Sequence, residues 1–286
     1  MPRGRIAYLV KVGSSGIFAL GGLYYGFKSS AQKGAGKHRH ADEVSHCQAL
    51  GLLTPDDAQK TKVVTTKSFL TREEVSLVRA EIHSLQNSHN VGVLERDKDG
   101  QRTHSQTAVR KTSFLHTNGC FQERLPWLRE RIYRKIFEVD AEHWNVMEKH
   151  DADSINFRTV ECHEYIEGGM LSTEKHYDAG SLITVDIMLA SPRAEFEGGA
   201  LYAPTFYGEE STETVDLEEG DMALFVSHKY HNVKPVLSGR RQVLVAEVWV
   251  GPEKTCAHRC ETLSLCNHSL TKSHIGGWRE HVGLLG

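Results

Sequence analysis

The stretch HNVKPVLSGRRQVLVAEVWV, residues 231–250, decides the fold, because its valines recur on both sides of the turn Leu237-Ser238-Gly239. Short Val-rich segments bounded by turn residues predict β-strands. We therefore predict strands near 231–236 and 241–250. The same character begins at Ser154 and predicts further strands near 155–166, 181–190, 199–204, 213–217 and 222–227.

Two amphipathic helices are predicted before the strands. Ser68-Phe-Leu-Thr71 followed by Arg72-Glu-Glu-Val75 resembles a capped helix start, and apolar residues then recur at helical spacing as far as Ser88. Residues 125–139 predict a second helix packed along one face. The polar residues 89–119 between them predict a loop or a weak hairpin near a substrate entrance. Two helices and seven short strands predict an α+β protein with a double-stranded β-helix, a jelly-roll or cupin-like barrel, flanked by N-terminal helices.

The first 41 residues differ from the rest because they contain seven basic residues and no Asp or Glu. Residues 6–27 approach the roughly 20 residues that cross a bilayer, although Lys11 and several glycines interrupt them. We predict a targeting segment or a membrane anchor, with the endoplasmic reticulum, the Golgi or the mitochondrion as the location. A cleaved signal peptide, a mitochondrial presequence and a disordered basic tail stay open. Residues 42–66 predict a linker to a catalytic domain at 67–252.

The remaining residues, 253–286, are predicted to form a structural tail that contains Cys and His. Cys256, Cys260 and Cys266 could form a disulfide or, with His258 and His268, a zinc site, but their spacing matches neither common zinc pattern. Asn267-His268-Ser269 is an N-glycosylation triplet if this part is luminal. The net charge of −3 gives no indication of a nucleic-acid partner.

His176, Asp178 and His231 form the candidate metal site. Residues two apart in an extended segment point to the same side, so His176 and Asp178 can converge on one point while Tyr177 points away. His231 then arrives from a strand that is distant in sequence. Two imidazoles and one carboxylate on one face of a metal leave other positions open, as is typical of non-haem Fe(II) oxygenases.

Arg241 lies ten residues after His231 and is predicted to open the last strand. Its planar guanidinium suits the far carboxylate of a dicarboxylic cosubstrate, held by two parallel hydrogen bonds. Arg240 is expected to face the other way by strand alternation.

Between about Phe157 and Gly251 the chain resembles the prolyl 4-hydroxylase-like catalytic domain of the 2-oxoglutarate/Fe(II)-dependent dioxygenase superfamily. The motifs that carry the resemblance occur in the family's order: Tyr165 with Gly168-Gly169, His176-x-Asp178, Phe196-Glu-Gly-Gly199, Glu219-Gly-Asp221 and His231-x-Val-x-Pro-Val-x-x-Gly-x-Arg241. The resemblance implies that His176, Asp178 and His231 bind Fe(II), and that Arg241 and Tyr165 contact 2-oxoglutarate. It also implies O2 as a cosubstrate, with ascorbate as a further candidate cofactor.

The implied activity is hydroxylation of a peptidyl side chain, with proline as one candidate, or of a small molecule. It is coupled to oxidative decarboxylation of 2-oxoglutarate to succinate and CO2. Collagen-type prolyl hydroxylases commonly have Lys where Arg241 stands, which weakens an assignment of collagen as substrate. Halogenase relatives replace the acidic ligand by a small residue, so the presence of Asp178 favours hydroxylation. A catalytically silent metal-binding barrel that acts as a binding module is the alternative, and a zinc hydrolase would use the same three ligands.

Four other residues near this motif set are assigned ordinary roles. His163 shares a predicted strand face with Tyr165 and is interpreted as a core histidine rather than a pocket residue. His228 is interpreted as a loop residue. Arg110 and Lys111 are interpreted as a solvated basic pair rather than as substrate contacts.

Overall fold

The structure is a computed structural model that describes residues 52–88, 90–104, 106–171, 176–204 and 212–259. The predicted membrane anchor at residues 6–27, the beginning of the predicted linker, and Cys260 and Cys266 lie outside the described residues. Among the helices that are described, none is long and apolar enough to cross a membrane.

The described part of the chain contains four α-helices and eleven β-strands. The helices are α1 Pro55–Ala58, α2 Arg72–Asn87, α3 Cys120–Arg124 and α4 Pro126–His143. The strands are β1 Val64–Thr66, β2 Gly92–Arg96, β3 Arg110–Phe114, β4 Ile155–Ile166, β5 Ile183–Met188, β6 Phe196–Gly198, β7 Leu201–Pro204, β8 Thr212–Val215, β9 Met222–Val226, β10 Asn232–Val233 and β11 Val236–Val250.

The strands form two antiparallel sheets. The main sheet has the order β1-β9-β5-β11-β4-β3-β2, with β6 pairing the first part of β11, and the small sheet has the order β10-β7-β8. An apolar cluster joins the sheets, because Met188 and Ala223 of the main sheet pack with Leu201, Val215 and Val233 of the small one. The predicted α+β fold, with a double-stranded β-helix core flanked by N-terminal helices, is therefore confirmed.

Helices α2 and α4 cover the outer face of the main sheet. The helix start predicted within residues 68–75 is confirmed: Thr71 caps α2 in a capping box with Glu74, and the apolar face of this helix is buried. Pro126 begins α4, where its missing N–H costs no hydrogen bond. The two helices and the sheet share one apolar core, so the helices hold the sheet from outside and leave its inner face free for a site.

Strand alternation gives the main sheet an apolar outer face and a polar inner face. On β4, Val160 and Cys162 belong to the core under the helices, whereas Glu161 and His163 point to the other side. Every residue of β4 from Phe157 to Tyr165 is buried, so the polar side chains are enclosed as well. Buried polar groups are costly without partners, and their concentration on this inner face marks the inside of the barrel as the candidate site.

Residues 52–66 differ from the sequence prediction, and in residues 89–119 the structure decides between two predicted alternatives. Residues 52–66, predicted as part of the linker, contain α1 and β1, and β1 pairs with β9 while Ala58 is fully buried. Within 89–119 the hairpin alternative is correct, because β2 pairs with β3 and β3 pairs with β4. Both segments are rich in polar residues and have little preference of their own for a strand. They form strands because they pair with neighbouring strands of the sheet.

The turn predicted at Leu237–Gly239 is wrong as a strand boundary. Strand β11 runs without interruption from Val236 to Val250, and Gly239 lies within it with a φ of 76°. A Cβ at Gly239 would lie 2.0 Å from the carbonyl oxygen of Glu195, so a close approach to the chain beside β6 requires glycine there. Arg241 is therefore held inside a long strand rather than at the start of a new one.

Candidate metal centre

The backbone brings His176, Asp178 and His231 together. His231 N–H donates to the carbonyl oxygen of His176 at 2.9 Å, and Asp178 N–H donates to the carbonyl oxygen of Ser227 at 2.8 Å. These bonds tie the segment after β4 to the loop between β9 and β10. Tyr177 points away from His176 and Asp178, as strand alternation predicts, because its ring packs on the ring of His228.

The three side chains converge on one point. His176 Nε2 lies 3.3 Å from Asp178 Oδ1, and His231 Nε2 lies 3.6 Å from Asp178 Oδ2. One nitrogen or oxygen from each residue falls within 4.8 Å of the other two. The imidazole centroids are 4.9 Å apart, with the rings nearly perpendicular. Two imidazoles and one carboxylate at these separations fit a divalent metal that keeps open positions for other ligands.

Neighbouring groups orient these candidate ligands. His231 Nδ1 lies 3.0 Å from the carbonyl oxygen of Lys229, which places the proton on Nδ1 and leaves the Nε2 lone pair for a metal. Thr184 Oγ1 donates to Asp178 Oδ2 at 2.8 Å, which fixes the carboxylate plane. Supports of this kind commonly surround metal ligands, because they fix the tautomer and the direction of each ligand.

The protonation states also suit a metal site. Burial lowers the pKa of His231, so its imidazole is neutral. Burial would raise the pKa of Asp178, but the neighbouring Arg259 guanidinium holds it well below its ordinary value. A neutral imidazole and an ionised carboxylate are the forms in which these side chains bind metals.

Arg241 lies inside the barrel, beside Tyr165 and Gly199. Its side chain is fully buried on β11, and none of its three guanidinium nitrogens has a hydrogen-bond partner among the described residues. The ring of Tyr165, on the neighbouring strand, lies 5.5 Å from the guanidinium carbon. Gly199, with a φ of 61°, leaves room for the arginine stem, since a Cβ there would lie 2.9 Å from Arg241 Cδ. A buried fork with free donors is suited to a carboxylate from a ligand.

The structure assigns definite surroundings to the lesser candidates. His163 is buried and donates from Nε2 to Glu161 Oε2 at 2.8 Å, so it lines the barrel as a satisfied histidine. His228 is also buried, and its Nε2 accepts from Gly180 N–H. Arg110 is not a solvated residue, because its guanidinium lies over the ring of Tyr165 at 5.4 Å. Lys111 pairs with Glu164 at 3.5 Å.

Four further charged residues near the triad were not found from the sequence. Glu161 on β4, Asp186 on β5 and Glu247 on β11 point into the barrel, and Arg259 reaches it from beyond the last strand. Glu247 lies six residues after Arg241 on β11, and residues separated by an even number of positions share a strand face. Strand alternation could therefore have predicted that Glu247 points into the barrel. Arg259 carries no such signal, because no periodic pattern continues past Val250.

The three acids differ in their electrostatic surroundings. Burial raises the pKa of Glu247 to about 7, against the lowering effect of Arg259, and burial raises the pKa of Asp186 to about 6. Burial acts in the same sense on Glu161, but the hydrogen bond and charge of His163, the charge of Arg259 and the hydrogen bond from Thr159 together outweigh it and bring the pKa of Glu161 to about 2. The inner wall beside the triad is therefore acidic, and the charge of Glu247 depends on a nearby cation.

Solved structures with a similar chain fold include three oxygenase-related proteins. A prolyl hydroxylase from Trichoplax adhaerens, in complex with a peptide fragment of the hypoxia inducible factor oxygen degradation domain, is 16% identical over 74% of this chain and 90% of that chain, with a TM-score of 0.47. A 2OG-Fe(II) oxygenase family oxidoreductase from Burkholderia pseudomallei is 13% identical over 80% and 94%, with a TM-score of 0.46. The non-haem α-ketoglutarate-dependent epimerase SnoN from nogalamycin biosynthesis is 15% identical over 79% and 96%, with a TM-score of 0.49.

No protein-family model and no curated protein sequence matches the chain. The names of these proteins include the superfamily that the sequence motifs resemble. Because these TM-scores are below 0.5, the strand pairings and the side chains of the chain itself remain the basis for its fold and its chemistry.

Proposed function

We propose that the chain is an Fe(II)- and 2-oxoglutarate-dependent dioxygenase that hydroxylates a peptidyl side chain or a small molecule. The observation that carries this proposal is Arg241, a fully buried guanidinium whose donors find no acceptor among the described residues. An unpaired buried cation costs several kcal/mol, roughly, and a carboxylate ligand would offset that cost. A zinc hydrolase or a silent binding module gives this residue no such role.

The residues present fit the cofactor and the cosubstrate. His176, Asp178 and His231 would hold Fe(II), and Arg241 with Tyr165 would hold the far carboxylate of 2-oxoglutarate. When bound together, the metal and 2-oxoglutarate supply oxidative decarboxylation to succinate and CO2, coupled to hydroxylation. The chain itself supplies orientation: the Lys229 carbonyl fixes the tautomer of His231, and Thr184 fixes the carboxylate of Asp178.

Anaerobic titration of the protein with Fe(II) and 2-oxoglutarate tests this proposal. A visible charge-transfer band is expected from the wild type, followed by succinate once air is admitted. Asp178→Ala should lose both signals, because it removes the only carboxylate of the triad. His176→Ala should lose them too, with His143→Ala as its matched control, since His143 is an exposed histidine on α4.

The two readouts separate the competing functions. A band without succinate would leave a metal-binding module, and would move the proposal away from an enzyme. Neither band nor succinate from a well-folded wild type with iron present would contradict the proposal altogether. Ascorbate is proposed only as a reductant that prolongs turnover, which the same succinate assay measures with and without it.

Membrane anchoring through residues 6–27 is a further proposal, supported by the acid-free, basic composition around them. Fractionation of cells that produce the full chain, beside a variant that lacks residues 1–41, tests it. The full chain is expected in the membrane fraction and the shortened chain outside it. Equal distribution of the two would refute an anchor at this end.

A further inference from the structure

The end of the described chain is bound to the barrel as a strap, residues 253–259. The turn at His116–Asn118 holds it through three carbonyl oxygens: Asn118 N–H donates to Thr255 at 2.8 Å, Thr117 Oγ1 to Cys256 at 3.4 Å, and His116 Nε2 to His258 at 3.2 Å. His116 and Thr117 are fully buried. These hydrogen bonds hold the strap against the barrel and fix the position of its last described residue.

That last residue, Arg259, reaches the candidate metal centre. Its Nη1 donates to Asp178 Oδ1 at 3.1 Å, and its Nη2 donates to Glu247 Oε2 at 2.9 Å. The guanidinium thus bridges a proposed metal ligand and an acid of the barrel wall. The guanidinium therefore fills space directly beside Asp178 at the candidate metal centre.

The wall under Arg259 is acidic and deeply buried. Glu161 and Glu247 lie on the neighbouring strands β4 and β11, and they are 5% and 1% exposed. Glu161 is satisfied by Thr159 and His163. Glu247 accepts from Ser181 at 2.6 Å, but it needs a cation as well, because an uncompensated buried carboxylate costs several kcal/mol, roughly.

Two arginines could supply that cation, and they differ in how firmly they are held. Arg158 is 3% exposed and lies 3.9 Å from Glu247, while its guanidinium is bound to the Ala179 carbonyl and to Ser181. Arg259 is 28% exposed and makes a single hydrogen bond to each of its two acids. Arg259 is therefore the cation that can be exchanged without dismantling the barrel.

We propose that Glu247, with the buried carboxylate of Glu161 behind it, forms a subsite for a guanidinium group of the substrate, free or peptidyl arginine, and that Arg259 occupies this subsite in the substrate-free protein. The proposal rests on the proposed dioxygenase function, because it names the substrate class of the same site. The chain's own guanidinium shows which group Glu247 and Asp178 accept at this position. Substrate binding exchanges one guanidinium for another and leaves the buried charges balanced.

The test uses two probes that differ only in charge at this group, N-acetylarginine amide and its neutral isostere N-acetylcitrulline amide. Calorimetry measures their binding to the full chain without iron, and again with Fe(II) and 2-oxoglutarate. The wild type is expected to bind the arginine probe at least tenfold more tightly than the citrulline probe. Arg259→Gly should bind the arginine probe at least tenfold more tightly than the wild type does, because no internal guanidinium competes.

Two further variants establish where the probe binds and guard against misfolding. Adding Glu247→Gln to Arg259→Gly should abolish the preference for the arginine probe. Arg259→Gln keeps a hydrogen-bonding side chain and should shift affinity in the same direction as Arg259→Gly. Arg193→Gly is the matched control: Arg193 is an exposed arginine paired with Glu218, its φ of 66° suits glycine, and its loss should leave probe binding unchanged.

Equal binding of the two probes by the wild type, or no binding of either, would overturn the proposal. A wild type that binds the arginine probe no less tightly than Arg259→Gly would overturn the exchange, and Arg259 would then be a fixed part of the barrel. Failure of the dioxygenase proposal looks different, because the charge-transfer band would be missing with either probe, while the iron-free calorimetry would still report on the subsite.

Discussion

Replacing Arg241 by Met should have opposite effects on cosubstrate binding and on stability. Two parallel charge-assisted hydrogen bonds to the far carboxylate are worth about 1.5–3 kcal/mol each, or about 3–6 kcal/mol together. At about 1.4 kcal/mol for each factor of ten, the affinity for 2-oxoglutarate should fall by roughly 10²- to 10⁴-fold. Met preserves most of the stem that packs beside Gly199 and Tyr165.

The cosubstrate-free protein should become more stable through the same change. Burial lowers the pKa of Arg241, in keeping with an ionised group that lacks acceptors among the described residues. Removing the buried charge should raise the free energy of unfolding by several kcal/mol, roughly. Loss of the contact between the guanidinium and the Tyr165 ring should offset about 2 kcal/mol of that gain. A gain of roughly 1–3 kcal/mol in the free energy of unfolding is the expected balance.

Urea unfolding without ligands, and titration of the charge-transfer band with 2-oxoglutarate, measure the two effects. Arg240→Met is the matched control, because Arg240 is the adjacent arginine on the opposite face of β11, exposed and paired with Glu164. The control should change neither quantity by more than a small amount. An Arg241→Met protein that is less stable than the wild type and binds 2-oxoglutarate within threefold of it would refute this account of Arg241.

Three other substitutions have expected outcomes. Thr184→Val removes the donor to Asp178 and should weaken Fe(II) binding by roughly 10- to 100-fold in a metal titration, with the fold unchanged in circular dichroism. Gly199→Ala places a methyl group against Arg241 at a φ of 61° and should lower the free energy of unfolding by about 1–3 kcal/mol; an unchanged urea midpoint would show that this contact is soft. Asp221→Asn should cost about 2 kcal/mol near neutral pH, because the carboxylate accepts from Lys67 and from two backbone N–H groups. Burial would raise the pKa of Asp221, but those hydrogen bonds lower it below 3.8. The difference in free energy of unfolding between the wild type and Asp221→Asn should therefore have its maximum value above pH 3.8 and decrease as the pH falls further. A difference that increased in acid would contradict this reasoning.

The barrel and its triad could be predicted from sequence because their signals are local. Val-rich segments between turn residues gave the strands of the second half, and the alternation of His176 and Asp178 gave the direction of their side chains. The two helices followed from apolar spacing, and the first also from the capped start within residues 68–75. In each of these cases the deciding residues lie within a few positions of each other in the chain, whereas His231 was placed with the other two by the order of the family's motifs.

The parts that could not be predicted depend on contacts between distant segments. Strand β1 is three residues long and exists because β9 offers it a partner. Gly239 suggests a turn by its residue type, but it lies inside β11, where the backbone before β6 approaches it too closely for a side chain. Arg259 lies beside Asp178 because a buried turn at His116–Asn118 fixes the strap. The residues around Arg259 show no pattern from which this contact could be predicted.

Strand β11 sets a limit on how this sequence can vary. It carries Arg241 and Glu247 on one face, and its pairing with β4 stays in continuous register from Arg240 to Glu247. Loss or gain of one residue between them would turn one of the two side chains toward the helices, because a shift by one residue exchanges the faces of a strand. Relatives that change their substrate should therefore differ here by substitution at positions such as Val243, Val245 and Glu247, and they should keep the number of residues between them.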